Sequence, residues 1–334
     1  MKRRRLLAGG LGLGLALTPL VHARARSRPY RIFMILFRGE TAVEKGFRDY
    51  LAAHGIEAEL LVHDVDQDVR RVPALIDEAR RAQADLIYTW GTPVTVALLG
   101  TQEQRDPARH VTDIPVVFTM VASPEAAGLV HTRTAHGRNF TGAVHVVPLA
   151  QQLGAMRAYR PLKRLAMIYN PVELNTRVTL QALQQSAQRD GFELLARPVP
   201  LDAQGKPSIA ALPQLVASVA RQQPSLLYFG PDSFLGANRK LFTESAVAAG
   251  LPVFSATELP LRDGRALFGL VSPYEQVGRL TAHKAVQILR DNIAPQEVAI
   301  ETLGRFSYIV NMAVAAELSL YPPLKVVNYA EIIR

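Results

Sequence analysis

One arrangement of apolar runs and breakers occurs twice in this chain, and the repetition restricts it to few folds. Arg31 to Phe37 is a β-rich apolar run, a segment of helical period follows and ends at His54-Gly55, and Ile56 to Val62 reads as the next strand. The order recurs with a strand at Arg164 to Tyr169, a helical segment ending at Asp190-Gly191, and a strand at Phe192 to Val199. Each copy then continues alike. Asp85 to Tyr88 breaks at Gly91-Thr92-Pro93 and leads to Ile114 to Phe118, while Ser225 to Tyr228 breaks at Gly230-Pro231-Asp232 and leads to Leu251 to Phe254. Two βαβαβαβ units result. Strands that alternate with helices form parallel sheets covered by helices on both faces, because a parallel connection has to cross over the sheet. The expected fold is therefore α/β, with two doubly wound parallel-sheet lobes.

An amphipathic segment from Tyr274 to Asn292 and two β-rich runs, Glu297 to Thr302 and Tyr308 to Met312, follow the second copy. They read as the chain crossing back to the first lobe and then returning to the second. Three hinge crossovers are expected near Val144–Val147, Leu270–Pro273 and Ala294–Glu297. Lobe one then comprises residues 28–145 and 272–296, and lobe two residues 146–271 and 297–334.

The first 25 residues have the form of a secretion signal: a basic start from Lys2 to Arg5, an apolar stretch from Leu6 to Leu20, and small-residue cleavage choices near Ala23 and Ala25. The general secretory and twin-arginine routes both fit that start. The formal charge of +9 falls to +4 once Lys2, Arg3, Arg4, Arg5 and Arg24 are removed with the signal, and the remaining basic residues are interspersed with acids, so no nucleic-acid partner is expected. The chain has no cysteine, which excludes a disulfide framework and a lipid-bearing cysteine. A free monomer in the periplasm is the expectation.

In doubly wound sheets ligands bind beyond the carboxyl ends of the strands, where loops converge. From the first lobe the candidates there are Arg38, which can grip an anion, Trp90, Gly91, Thr92 and Pro93 at a strand-to-helix turn, Ser123, and Thr141. Thr92 can also cap the following helix, with Pro93 in its first turn. From the second lobe come Asn170, Asp232, Ser255 and Glu258, with Tyr274 at the second crossover. An Asp suits a ligand ammonium and equally suits an N-cap; Trp90 and Tyr274 suit stacking on a ligand and equally suit packing.

These landmarks resemble the ABC-transporter substrate-binding proteins of the type I periplasmic binding fold, in the group that includes tryptophan-binding proteins. The resemblance runs from Arg31 to about Pro323 and is carried by Leu86 to Val94, Ile114 to Val130, Asn139-Phe140-Thr141-Gly142, Ile168 to Pro171 and Ile309-Val310-Asn311. It implies ligand contacts from Thr92, Ser123 and Thr141 on lobe one and from Asn170, Asp232 and Glu258 on lobe two. It also implies a small-molecule ligand, an amino acid or another carboxylate among the candidates, and an ABC permease in the inner membrane as partner. A sensory protein that docks on a membrane receptor would have the same lobes. An exported hydrolase would need parts that are missing: there is no Gly-x-Ser-x-Gly elbow, no cysteine nucleophile and no His-Glu-x-x-His. Catalytic residues, metal ligands and cofactors are not expected.

Overall fold

The computed structural model describes residues 28–134 and 136–334, so the expected secretion signal lies outside the described residues. The first unit runs β1 (Tyr30–Leu36), α1 (Ala42–Ala53), β2 (Ala58–Asp64), α2 (Val72–Arg81), β3 (Leu86–Trp90), α3 (Thr92–Leu99), β4 (Val116–Val121) and β5 (Phe140–Val144). The second runs α4 (Leu149–Tyr159), β6 (Arg164–Tyr169), α5 (Leu174–Asp190), β7 (Glu193–Pro198), α6 (Leu212–Ala220), β8 (Leu226–Phe229), α7 (Ser233–Ala237), α8 (Arg239–Ala248), β9 (Val253–Ser255), α9 (Leu259–Arg262) and β10 (Phe268–Val271). The last stretch holds α10 (Tyr274–Leu289), β11 (Glu301–Thr302), β12 (Ser307–Asn311), α11 (Met312–Glu317), α12 (Leu324–Val327) and β13 (Glu331–Ile333).

The strands make two sheets. One has six parallel strands in the order β11-β5-β4-β3-β1-β2. The other has seven, β13-β12-β10-β9-β8-β6-β7, parallel except for the β10–β12 pair. Strands β3 and β4 are buried along their whole length, as expected of central strands covered on both faces. That burial explains why they read as unbroken apolar runs rather than alternating ones.

Helix α10 returns to the first sheet and crosses α1 with the two backbones almost touching. A Cβ at Gly278 would lie 1.9 Å from the Val43 carbonyl oxygen, and one at Gly46 would lie 2.0 Å from that of Glu275. Only glycine permits this approach. The same helix carries Lys284, fully buried, whose ammonium donates to the Ala299 carbonyl at 2.5 Å and to Glu301 at 2.6 Å.

The third crossing differs from expectation. Glu301 and Thr302 pair with Ala143 and Val144 at the edge of the first sheet, so the chain leaves that lobe between Thr302 and Ser307, not near Ala294–Glu297. Residues 297–302 were expected in the second lobe. Lys284 and the Thr141 hydroxyl, which donates to Val298 at 2.7 Å and to Ala299 at 3.2 Å, hold this segment to the first.

Candidate functional site

The carboxyl ends of both sheets face each other across a cleft, and the loops that leave those ends supply its walls. At its centre is a cavity of about 40 Å³ lined from the first lobe by Arg38, Trp90, Gly91, Thr92, Met120 and His145. The other wall includes Asn175, Asp232, Ser233, Thr257 and Pro260, and Tyr274 stands at the second crossover.

Arg38 follows β1 and reaches across the cleft. Its guanidinium donates to the Ser233 carbonyl at 3.2 Å and lies 5.4 Å from the centre of the Trp90 ring. Among the described residues no carboxylate comes within 4.0 Å of it. Burial lowers its pKa, although Tyr274, Glu173 and Asp232 pull the other way. A largely buried cation with donors to spare and no ion-pair partner suits an anionic ligand group.

Trp90 ends β3 and is followed by Gly91, whose φ of 90° makes the turn into α3. Contrary to expectation, Thr92 does not cap α3. Gly91 occupies the N-cap, Thr92 is the first helical residue, and its hydroxyl instead accepts from the Ala122 N–H at 3.3 Å. Pro93 sits in the first turn as expected and lines the outer lip of the cleft together with Asn170. Met120 occupies the left-handed region at φ 56°, where β4 and β5 shift register between Phe118 and Val121. A non-glycine residue there is strained, and bulges of this kind re-aim side chains at strand ends.

The second lobe presents two carboxylates. Asp232 caps α7 by accepting from Leu235 N–H at 2.8 Å, and its other oxygen accepts from Asn170 N–H at 2.8 Å. Its capping and cleft-lining roles thus coexist. Glu173, just before α5, accepts from the Ser233 N–H and hydroxyl, both at 2.9 Å, and from the Asn175 amide at 3.2 Å. Burial, and then the charge of Asp232, pushes the Glu173 carboxyl up to about 7; burial raises Asp232 as well.

A carboxyl whose pKa rises on folding holds a proton that the unfolded chain releases, so its stabilising contribution is complete below about pH 4.5 and disappears as pH rises towards 7. The melting temperature of the ligand-free protein is expected to fall between pH 5 and pH 8 more steeply than that of Glu173→Gln. Scanning calorimetry of the two proteins across this range checks the difference in slope.

Three of the expected ligand contacts, Thr141, Ser255 and Glu258, do not line the cavity. Thr141 is fully buried inside the first sheet and its hydroxyl serves the β11 segment. Ser255 is fully buried and its hydroxyl turns back to the Thr257 carbonyl at 2.7 Å. Glu258 serves the second crossover: it accepts from the Tyr274 N–H at 2.5 Å, at the start of α10, and pairs with Arg262. Ser123 lines a separate chamber nearer the crossovers.

That chamber has a volume of about 300 Å³ and is mostly apolar, with Ala126 and Val144 on one side and Leu174, Val178 and Ala182 on the other. Asn175 and Pro231 line both it and the central cavity, so the two adjoin. Sequence reasoning missed His145, Met120 and Glu173. Only His145 had a signal, its place within the first expected crossover.

Known proteins share this architecture. A structure of a conserved domain protein from Vibrio cholerae superposes with a TM-score of 0.79 at 21% identity, covering 92% of this chain and 100% of that one. The structure of an ABC domain in complex with L-Trp from Streptococcus pneumonia superposes with a TM-score of 0.78 at 19% identity, again over 92% and 100%. A tyrosine-binding protein of Clostridioides difficile strain R20291 is 21% identical over 269 residues, 80% of this chain and 71% of that protein. The fold is that of the type I periplasmic binding proteins. Residues 34–333 match the family described as ABC transporter substrate binding protein, and the chain belongs to that family.

Proposed function

We propose that this protein is an exported solute receptor that closes its two lobes around a small carboxylate and presents it to an ABC permease in the inner membrane. The observation that carries the reading is Arg38, a cation without an ion-pair partner among the described residues, in a cleft whose walls come from both lobes. An anionic group that bonds to Arg38 and to the second lobe at once favours the closed arrangement, because only that arrangement makes both sets of contacts. The adjoining apolar chamber has room for an aliphatic or aromatic side chain. A tyrosine-binding relative and a fold neighbour that holds L-Trp support an aromatic amino acid as the first ligand to try.

A thermal-shift panel tests this directly. L-Tryptophan, L-tyrosine, L-leucine, their 2-hydroxy and unsubstituted acid analogues, sugars and nucleosides are each added to purified protein refolded to remove any retained solute. At about 100 times its dissociation constant a true ligand adds roughly 2.7 kcal/mol of apparent stability. A shift confined to carboxylates is the expected result, and a shift confined to sugars or nucleosides would overturn the reading.

A further inference from the structure

Two polar side chains that line the central cavity have buried atoms with no hydrogen-bond partner among the described residues. Among the described residues the indole Nε1 of Trp90, which is 4% exposed, has no hydrogen-bond partner, and neither has Nδ1 of His145, which is 6% exposed. Both line the same 40 Å³ space as Arg38 and Asp232. Buried donors and acceptors are almost always satisfied, so two unmet groups beside one cavity point to a missing partner. Their chemistry differs. The indole N–H is a donor only, whereas a neutral imidazole carries one N–H and one lone pair. Burial, with the charge of Arg38 adding to it, holds His145 neutral, its pKa lowered to about 4; a contact with the Val121 backbone works in the opposite direction, favouring a proton on the ring.

Resting on the carboxylate reading above, we propose that Trp90 and His145 read the ligand's head group. Trp90 Nε1 donates to the carboxylate held by Arg38, and His145 Nδ1 accepts from a donor on the adjacent carbon. The site then selects α-amino or α-hydroxy acids over acids that lack an α-donor. His145 leaves β5 on the first crossover, so the residue that reads the α-substituent sits where the lobes pivot.

Titration calorimetry of L-tryptophan, indole-3-lactate and indole-3-propionate tests this, because the three share a carboxylate and an indole and differ only in the α-donor. The unsubstituted acid leaves His145 unmet, which makes it about 5- to 100-fold weaker than the other two in the unaltered protein. His145→Phe is expected to remove that gap by weakening only the α-substituted acids, and His145→Asn to restore part of it. Trp90→Phe is expected to weaken all three alike. If aliphatic acids bind instead, L-leucine, 2-hydroxy-4-methylpentanoate and 4-methylpentanoate make the same comparison. Equal affinities for the three acids, or an equal loss of all three in His145→Phe, would overturn the head-group assignment while leaving carboxylate capture standing. Failure of every acid to bind overturns both. In parallel, nitrogen-15 spectra of the ligand-free protein are expected to place the ring proton on Nε2, and a proton on Nδ1 would contradict the acceptor role.

Discussion

Replacing Arg38 with alanine is expected to weaken carboxylate binding by a factor on the order of one hundred to one thousand while leaving the ligand-free protein folded. Removing one partner of a buried, hydrogen-bonded charge pair costs about 2–5 kcal/mol of binding, and each 1.4 kcal/mol is roughly tenfold in affinity. The free protein loses little, because Arg38 makes one bond to the Ser233 carbonyl and, among the described residues, no carboxylate within 4.0 Å would be stranded. Burial already penalises its charge, so the melting temperature of Arg38→Ala without ligand is expected to match or exceed that of the unaltered protein. Arg38→Lys keeps the charge and loses the planar fork, and is expected to recover only part of the affinity. Titration calorimetry and a thermal melt on each variant separate the two effects. A large fall in stability with unchanged affinity would return Arg38 to a purely structural role.

The second large effect concerns the contact that ties α10 to the first lobe. A Cβ at Gly278 would lie 1.9 Å from a backbone carbonyl oxygen, far inside contact distance, and no rotamer change relieves a clash with main chain. Gly278→Val therefore has to push α10 away from α1. Overpacking a tight core costs about 1–3 kcal/mol and more when backbone must move, so a loss at the upper end, on the order of 10 °C in melting temperature, is expected. Gly154→Ala is the control: it lies in α4 with nothing within 4 Å of the added carbon, and its expected effect is neutral or slightly stabilising. Equal melting temperatures for the two variants would refute the close crossing of α1 and α10.

The two-lobed architecture was legible because its strands announce themselves. Central strands such as β3 and β4 are buried on both faces and read as continuous apolar runs, and the breakers that follow them mark the strand ends where ligands gather. Loop positions could therefore place Arg38, Trp90, Thr92 and Asp232 in the cleft without knowledge of their partners. Side-chain direction was less accessible. Thr141 lies near the amino end of β5, away from the ligand side, and its hydroxyl bonds to the Val298 and Ala299 carbonyls, which no local pattern connects to it; Ser255 does end β9 at the ligand side, but its hydroxyl turns back onto the Thr257 carbonyl two residues on.

The misplaced third crossover has a related cause. Strand β11 is two residues long, and what assigns it to the first sheet is its pairing with β5 and the grip of Lys284, both contacts between distant parts of the chain. Glu173 was hidden because a glutamate before a helix ordinarily faces water. Its burial depends on Ser233, from another strand end, folding over it. His145 sat in the expected crossover, but only the bulge at Met120 and the closeness of the lobes show that it lines the cavity.

A solute held between the two lobes draws them together. Small-angle X-ray scattering of the purified protein, with and without a saturating amount of the panel acid that gives the largest thermal shift, measures this most directly. The radius of gyration is expected to fall when the acid is added to the unaltered protein and to stay constant when it is added to Arg38→Ala. An unchanged radius in the unaltered protein at saturation would contradict capture by lobe closure.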